Sequence, residues 1–501
     1  MTNRLLVCRS SSLWALFLFV VFVANAAANE EQQQGSNDSE TKNEPYDPDL
    51  ECGIWLAPST IPNTGFGMFA GKDFKEGDLL AKEMVVPLVD MDLYSAHIYN
   101  PPFFLWELYW WDGIDVLTTH EGYNQGMGLV GGFGSAPNTI LALINVDESY
   151  PDYQNSAGLH RSKDAGAGAF SEIGGRTSTA KYDLEAGDEL FVNYGYWYFA
   201  NRHWYGPVPL YDDLRNAQLF FTKYLHTKAR VQKNEQDNDA ANVDVDAVME
   251  EAWDLFVRQD KHFSRVLGAF YKDDPNELKL LEEYKGDIAE LRMDQSKQSL
   301  EFLRKHGGCG DHITYGQSTL PQAGRGAFAR RDLPTGTLVS PFPLIHLPRR
   351  EILDTFPIDI EYDEEDEDYE YKVNRKGKKG AQLLVNYCFG HKETTMMLCP
   401  YGKCGGVGCS FCRIVVVSLI QSLLLSLVRV GMNNNYVNHN QTLANVRLQW
   451  SDGTRSSHHA EYLKKPLSEF HDLREAKLAF ELIATRDIKE GTYLEHETTS
   501  A

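Results

Sequence analysis

No apolar run in this 501-residue chain is long enough to cross a bilayer comfortably. Spanning takes roughly 20 residues. Leu13–Val23 has eleven, and Ile414–Val430 is short and carries Arg429 near its end. Positive charge is also scarce. Lys and Arg number 48 against 71 Asp and Glu, a net charge of −23. That excludes a nucleic-acid binder, whose phosphates would be repelled, and leaves solubility or cationic protein partners. A standard zinc pattern is missing as well. Cys399, Cys404, Cys409 and Cys412 stand at C-x4-C-x4-C-x2-C, which is not a usual tetrahedral ligand spacing, so no metal is expected. Cysteine is sparse, and with Cys8 set aside seven remain. An odd count leaves one thiol unpaired or paired between chains, and spacing alone does not give the pairing.

The N-terminus begins Met-Thr-Asn-Arg, continues into the short apolar run, and ends in Ala24-Asn25-Ala26-Ala27-Ala28. A charged start, an apolar centre and small residues at the end predict a secretory signal over 1–28. The expected location is therefore the secretory pathway, either the endoplasmic reticulum lumen or outside the cell. Residues 29–50 are acidic and polar and read as a disordered linker. Asn37-Asp38-Ser39 within it is a glycosylation sequon.

Ser59–Ala70 reads S-T-I-P-N-T-G-F-G-M-F-A, and Ser318–Ala329 reads S-T-L-P-Q-A-G-R-G-A-F-A. Seven of twelve positions agree at an offset of 259, where chance gives about one. Asp73, Gly77 and Leu79 match Asp332, Gly336 and Leu338 at the same offset, and Cys52-Gly53 and Cys309-Gly310 precede the two copies. The chain therefore holds one module twice, at 51–205 and 309–501. Each copy reads as short strands and tight turns, with strands at Met68–Ala70 and Ala327–Ala329 following the Gly-x-Gly turns. Between them, 206–308 reads as a helical spacer. Apolar residues recur at helical spacing in Asp212–Leu225 and Val243–Lys305, for example Leu278, Leu281, Tyr284, Ile288 and Leu291. Lys233–Asp244, rich in Asn, Asp and Gln, reads as a loop.

Two glycines flanking one residue, as in Gly65-Phe66-Gly67 and Gly324-Arg325-Gly326, let backbone approach a ligand or adopt positive φ. Further on, Ala180–Gly195 closes the first copy with G-D-E-L-F-V-N-Y-G. In the second, Val437-Asn438-His439 leads to Ala484-Thr485-Arg486-Asp487-Ile488-Lys489-Glu490-Gly491. This order, G-x-G-x-F-A, then N-H, then A-x-x-D-I-x-x-G-E-E-L-x-x-x-Y-G, resembles that of SET-domain protein lysine methyltransferases. The resemblance covers roughly 51–200 and 309–497. It implies an α+β, β-rich fold of two SET-like β-clip modules separated by the helical spacer.

The resemblance also implies a cofactor, S-adenosylmethionine, and a protein or peptide substrate. Transfer of a methyl group to a lysine amine requires in-line geometry and a neutral, desolvated amine. By resemblance, Tyr194 lines the methyl-transfer site and Gly65, Phe66 and Gly67 lie by the cofactor, as do Gly324 and Gly326 in the second copy. The Asn-His pair maps to Asn438 and His439. In the first copy Asn138 and Asn145 are both candidates, and neither is followed by His. In the second copy the slot matching Tyr194 falls at Thr498, so that copy lacks the tyrosine. Asn440-Gln441-Thr442 beside the pair is a second sequon.

Three segments stand outside this pattern. Phe103–Trp111 is an aromatic run suited to core packing or to surrounding an alkylammonium. Glu361–Tyr371 is acidic and reads as a solvated loop or as a dock for a basic segment. Residues 403–430 interrupt the second copy between Gly402 and the Asn-His strand and read as a retained-intron insertion, with a membrane-inserted hairpin as the alternative. Membrane contact is expected only if the signal or 414–430 is kept. Two functions follow: a protein lysine methyltransferase acting in the secretory pathway, or a SET-derived binding or scaffold protein without catalysis.

Overall fold

Alternating side chains in the first strand point into two different cores, which is why nearly every residue of it is buried. In the computed structural model, strand β1 (Ile54–Pro58) pairs antiparallel with β2 (Phe66–Ala70), Ile54 opposite Ala70 and Pro58 opposite Phe66. Ile54, Leu56, Met68 and Ala70 enter one apolar cluster with Leu184, Leu190 and Val192. Trp55, Ala57 and Phe69 enter another with Leu303 and Cys309. The period of two that puts successive residues on opposite faces accounts for this division.

The structure describes residues 46–61, 64–83, 85–89, 110–112, 126–130, 136–149, 176–195, 210, 212–237, 245–260, 263, 266–267, 287–317, 319, 325–347, 349–363, 368–374, 376–382, 384–385, 388–390, 396–400, 438–439, 443–455, 458–470 and 477–496. Asp47–Ala501 forms one compact unit. The signal, residues 29–45 of the acidic linker, residues 403–430 and both sequons lie outside the described residues; the end of the linker, expected as disordered, forms a 3-10 turn over Pro48–Glu51 capped by Asp47. Among the described residues no helix is long and apolar enough to cross a membrane.

The first copy continues with β3 (Leu79–Glu83), β4 (Val85–Val89), β5 (Trp110–Asp112), β6 (Gly126–Val130), β7 (Val146–Glu148) and β8 (Arg176–Ala180). These form two three-stranded sheets, β3-β8-β7 and β4-β6-β5. Helices α1 (Asp213–Asp237), α2 (Val245–Trp253), α3 (Ile288–Gln295) and α4 (Leu300–His306) fill the middle of the chain. Their apolar faces, with Leu214, Phe221, Tyr224, Trp253, Ile288 and Leu291, pack with Leu143 and Phe191 of the first copy. Asp287 and Glu290 close a reciprocal capping box at the start of α3, which satisfies two of the free N–H groups there. Helix α1 runs to Asp237, so 233–237, expected as loop, is helical. Leu278, Leu281 and Tyr284 lie outside the described residues.

The second copy begins with β9 (Gly308–Cys309), which pairs with β1, and the hairpin β10 (Ile313–Gln317) and β11 (Arg325–Ala329). Its long strand β12 (Leu338–Leu347) is followed by β13 (Asp354–Thr355), β14 (Ile358–Asp363), β15 (Asp368–Val373), β16 (Gly380–Ala381), β17 (Phe389–Gly390), β18 (Met397–Pro400), β19 (Asn438–His439), β20 (Val446–Trp450), β21 (Leu478–Ala484) and β22 (Glu495–His496). Seven of these make one sheet in the order β17-β18-β12-β21-β20-β22-β19. The chain is thus strand-rich and α+β, with several small sheets and few helices.

The offset of 259 read from the sequence is the register of the structure. Ile313 faces Ala329 and Gln317 faces Arg325, as Ile54 faces Ala70 and Pro58 faces Phe66. Strand β3 meets β8 with an irregularity between Leu79 and Ala81, and β12 meets β21 with one between Leu338 and Ser340. Gly77 donates to Ala180 O and Gly336 to Ala484 O, both at positive φ in the predicted turns. Asp73 accepts from the amide of Ala186, and Asp332 from that of Glu490. The acidic segment is a β14–β15 hairpin up to Asp363 and from Asp368, with Glu361 paired to Lys372 at 2.6 Å. It is strand there because Ile358, Ile360 and Tyr362 alternate with its carboxylates.

Two disulfides join Cys52 to Cys309 and Cys388 to Cys399. Cys399 is therefore unavailable to a four-cysteine metal site, while Cys404, Cys409 and Cys412 lie outside the described residues. Cys309 also lies near Asp49, Asp311 and His312. There Arg331 Nη1 donates to Asp311 Oδ1 and to His312 Nδ1, and His312 Nε2 meets Asp49. A guanidinium already occupies the acceptors, so this is a buried ion-pair network rather than a cation site.

Candidate functional site

The segment that returns after β8 crosses back over the β1–β2 hairpin and positions the site. Ala70 donates to Asp188 O, Leu190 to Met68 O, and Gly187 to Ala70 O. Gly187 has φ +102°, and a Cβ there would meet Gln298 O at 2.4 Å, so this close crossing requires glycine. The second copy repeats the crossing: Ala329 donates to Thr492 O, Leu494 to Ala327 O, and Gly491 to Ala329 O.

Strand pairing resolves which asparagine is which. Asn145 is fully buried; its Nδ2 donates to Glu189 O at 2.8 Å and its Oδ1 accepts from Phe191 N at 2.7 Å. Asn445 does the same for Tyr493 O and Glu495 N. Asn138 bridges Phe191 in parallel, as Asn438 pairs with Glu495. Asn138 thus holds the register position of Asn438, and Thr139 that of His439. Thr139 is buried, and its Oγ1 has no hydrogen-bond partner among the described residues. For Asn438 and His439 the backbone pairing in β19 is described, and Gly324 lies outside the described residues.

Three sequence-distant candidates meet in the first copy. Asn138 Nδ2 lies 3.2 Å from Phe66 O, inside Gly65-Phe66-Gly67. The half-buried Tyr194 donates its hydroxyl to the carbonyl of Pro137, next to Asn138, at 2.6 Å. Gly65 is exposed with φ +79°, and a Cβ there would meet nothing within 4 Å. Gly67 is different: it lies within β2, opposite Ala57.

The reason for glycine at 67 is a carboxylate that the motif reading passed over. A Cβ on Gly67 would lie 2.1 Å from Glu189 Oε1. Glu189 is fully buried and accepts from Ser59 Oγ at 2.7 Å, Thr60 N at 2.8 Å, Thr60 Oγ1, and Asn138 Nδ2 at 3.2 Å. Burial pushes its carboxyl above the ordinary range, against the lowering effect of the Thr60 and Ser59 hydroxyls. The signal for it was present in Gly187-Asp188-Glu189-Leu190, but its partners are more than fifty residues away.

In the second copy Tyr493 takes this place. A Cβ on Gly326 would lie 2.2 Å from Tyr493 Cε2, and the ring stacks edge-on against Phe328 at 5.2 Å. Gly326→Ala is expected to destabilise the chain by about 1–3 kcal/mol, because an aromatic ring must leave its rotamer. Urea unfolding of Gly326→Ala, Tyr493→Ala and the double variant checks this. Purely additive effects would show that the glycine and the ring do not compete for one space.

Of the aromatic run, Trp110–Asp112 is strand β5, paired with β6; the rest lies outside the described residues.

No family model matches this chain, and no curated protein matches it. Among solved structures, 38% of it is similar to 96% of a Plasmodium falciparum protein assigned as a histone methyltransferase, at 11% identity and a TM-score of 0.18. It is also similar to Chaetomium thermophilum Polycomb Repressive Complex 2 in an autoinhibited conformation bound to S-adenosylmethionine. There 32% of this chain covers 18% of that one, at 18% identity and a TM-score of 0.21. An apo form of that complex with two substitutions gives 19% identity, a TM-score of 0.20, and coverage of 28% of this chain and 15% of that one. This chain therefore spans under a fifth of the length of the Polycomb chains.

Proposed function

We propose that the chain is a SET-type protein lysine methyltransferase of the secretory pathway, with its site in the first copy and the second copy non-catalytic. The observation that carries this is the meeting of Phe66, Asn138 and Tyr194, drawn from three separate parts of the sequence, through the contacts at 3.2 Å and 2.6 Å. The residues fit the cofactor that the motif order implies. Gly65 leaves open space, and the buried Thr139 hydroxyl beside Asn138 is unpaired among the described residues. Gly65, Phe66, Asn138 and Thr139 would hold S-adenosylmethionine, which when bound supplies an electrophilic methyl group.

Tyr194 then has a definite task. Its proton is directed at Pro137 O, which fixes the orientation of the hydroxyl as a preorganised dipole. The second copy has Tyr493 against Gly326 and Thr498 in the tyrosine slot, which supports a structural role for it. The two disulfides support an oxidising compartment.

One observation favours the second reading, a SET-derived binding protein. The amide hydrogens of Asn138 are already directed at Ser59 Oγ, Phe66 O and Glu189 Oε1. Calorimetric titration of the full chain with S-adenosylmethionine separates the two. Saturable heat with a dissociation constant below about 100 μM is expected. A folded chain that gives neither heat nor a thermal shift would establish the binding-protein reading instead.

A further inference from the structure

The buried carboxylate beside the paired glycines has no role in the motif reading, yet it contacts both Asn138 and the stretch that leads into the Gly65 turn. Glu189 is pinned at its backbone: its N–H donates to Ser296 O at 2.9 Å and its carbonyl accepts from Asn145. Its side chain is therefore aimed in one direction, against Gly67. There it gathers donors from two segments, the Ser59–Thr60 stretch that leads into the Gly65 turn and Asn138. Ser59 adds a cross-brace, since its Oγ accepts from Asn138 Nδ2 at 3.0 Å and from Ile61 N at 3.0 Å.

We propose that Glu189 is a positioning residue of the cofactor site: its carboxylate holds Asn138 and the Ser59–Thr60 loop in register with the paired-glycine turn. The inference rests on the reading of the first copy as a cofactor site. The second copy supplies the internal contrast. It keeps Ser318 and Thr319 at the positions of Ser59 and Thr60, but Tyr493 stands in place of Glu189. A phenol oxygen cannot accept four donors from two segments. Thr319 is exposed where Thr60 is half-buried, as expected for a loop without its carboxylate anchor.

Glu189→Gln keeps the shape but can accept through one oxygen only, so it leaves the Thr60 amide or Asn138 without its partner. In the full chain its dissociation constant for S-adenosylmethionine, measured by calorimetry, should rise by about tenfold or more. Turnover at saturating cofactor should stay within about threefold, a split that general loss of packing would not give. Should Glu189→Gln fail to fold, Thr60→Val removes one hydroxyl donor at constant shape and should weaken binding by about threefold or more. Thr60→Ser should restore it. Unchanged affinity in a folded Glu189→Gln, or equal affinities for Thr60→Val and Thr60→Ser, overturns the inference while wild-type binding stands. Absence of binding by the wild-type chain overturns the reading of the site, and the inference with it.

Discussion

Tyr194→Phe should slow methyl transfer by about 100-fold while the dissociation constant for S-adenosylmethionine stays within about threefold. The substitution is selective because the ring and the hydroxyl have separate tasks. The ring is half-buried against the cluster of Leu56, Met68, Leu190 and Val192, and phenylalanine keeps that packing. Only the hydroxyl, held by Pro137 O at 2.6 Å, is lost. A single neutral hydrogen bond contributes about 1 kcal/mol to stability, so the unfolding midpoint should move little. A fixed hydroxyl dipole aimed at developing charge contributes about 2.7–4 kcal/mol to a barrier. The check is single-turnover transfer to a lysine peptide, alongside calorimetry and thermal unfolding on the same preparation. Equal single-turnover rates for the two proteins would remove Tyr194 from the chemistry. A rate loss matched by an equal loss of affinity would give it a binding role only.

The hairpins were legible in the sequence because a constant offset carries them. Asp73, Gly77 and Leu79 keep their spacing from Gly65, and so do their counterparts from Gly324. Turns of this kind depend on local residues, above all on glycine at positive φ. The Asn-His slot was not legible in the first copy because the intervening segments differ in length. Asn145 and Asn445 are 300 residues apart, and Ala180 and Ala484 are 304 apart. Two asparagines seven residues apart look alike on paper. Only the parallel bridge to Phe191 marks Asn138 as the counterpart of Asn438. Glu189 was missed for a related reason. It was quoted within the motif, but what makes a buried carboxylate tolerable is its set of donors. Those come from Ser59, Thr60 and Asn138, which no local pattern connects to it. The acidic segment misled in the opposite way: its charge density hid an alternation of Ile358, Ile360 and Tyr362 that suits a strand. The start of the Asn-rich stretch reads as loop in sequence because an exposed helix face is polar too; α1 runs through it to Asp237.

Cys309→Ser should lower the unfolding free energy by about 3–5 kcal/mol, more than Gly326→Ala. Cys52 and Cys309 are 257 residues apart in sequence. A crosslink over so long a loop removes much of the conformational freedom of the unfolded chain. The folded state is well arranged to keep the link. Cys309 is paired in register with Trp55 across β1 and β9, and both are buried with Phe69 and Leu303. Around it, Asp311 accepts from Gly53 N and from Arg330 and Arg331, so the strand ends stay together without the sulfur bond. The folded geometry should therefore survive, and the loss should come mostly through the unfolded state. That makes three results coincide: Cys309→Ser, Cys52→Ser and the double variant should have the same urea midpoint, above that of the fully reduced wild-type chain, which loses Cys388–Cys399 as well. A single variant as stable as the oxidised wild type would mean that the crosslink constrains nothing. A double variant much weaker than either single would mean that each cysteine contributes through its packing beside Trp55. Because β1 leads directly into the Gly65–Gly67 turn, cofactor affinity in the serine variants also measures how far the link at one end of that strand supports the site at the other. A shift of less than about threefold would place the support in the Asp311 network and the Glu189 cage alone.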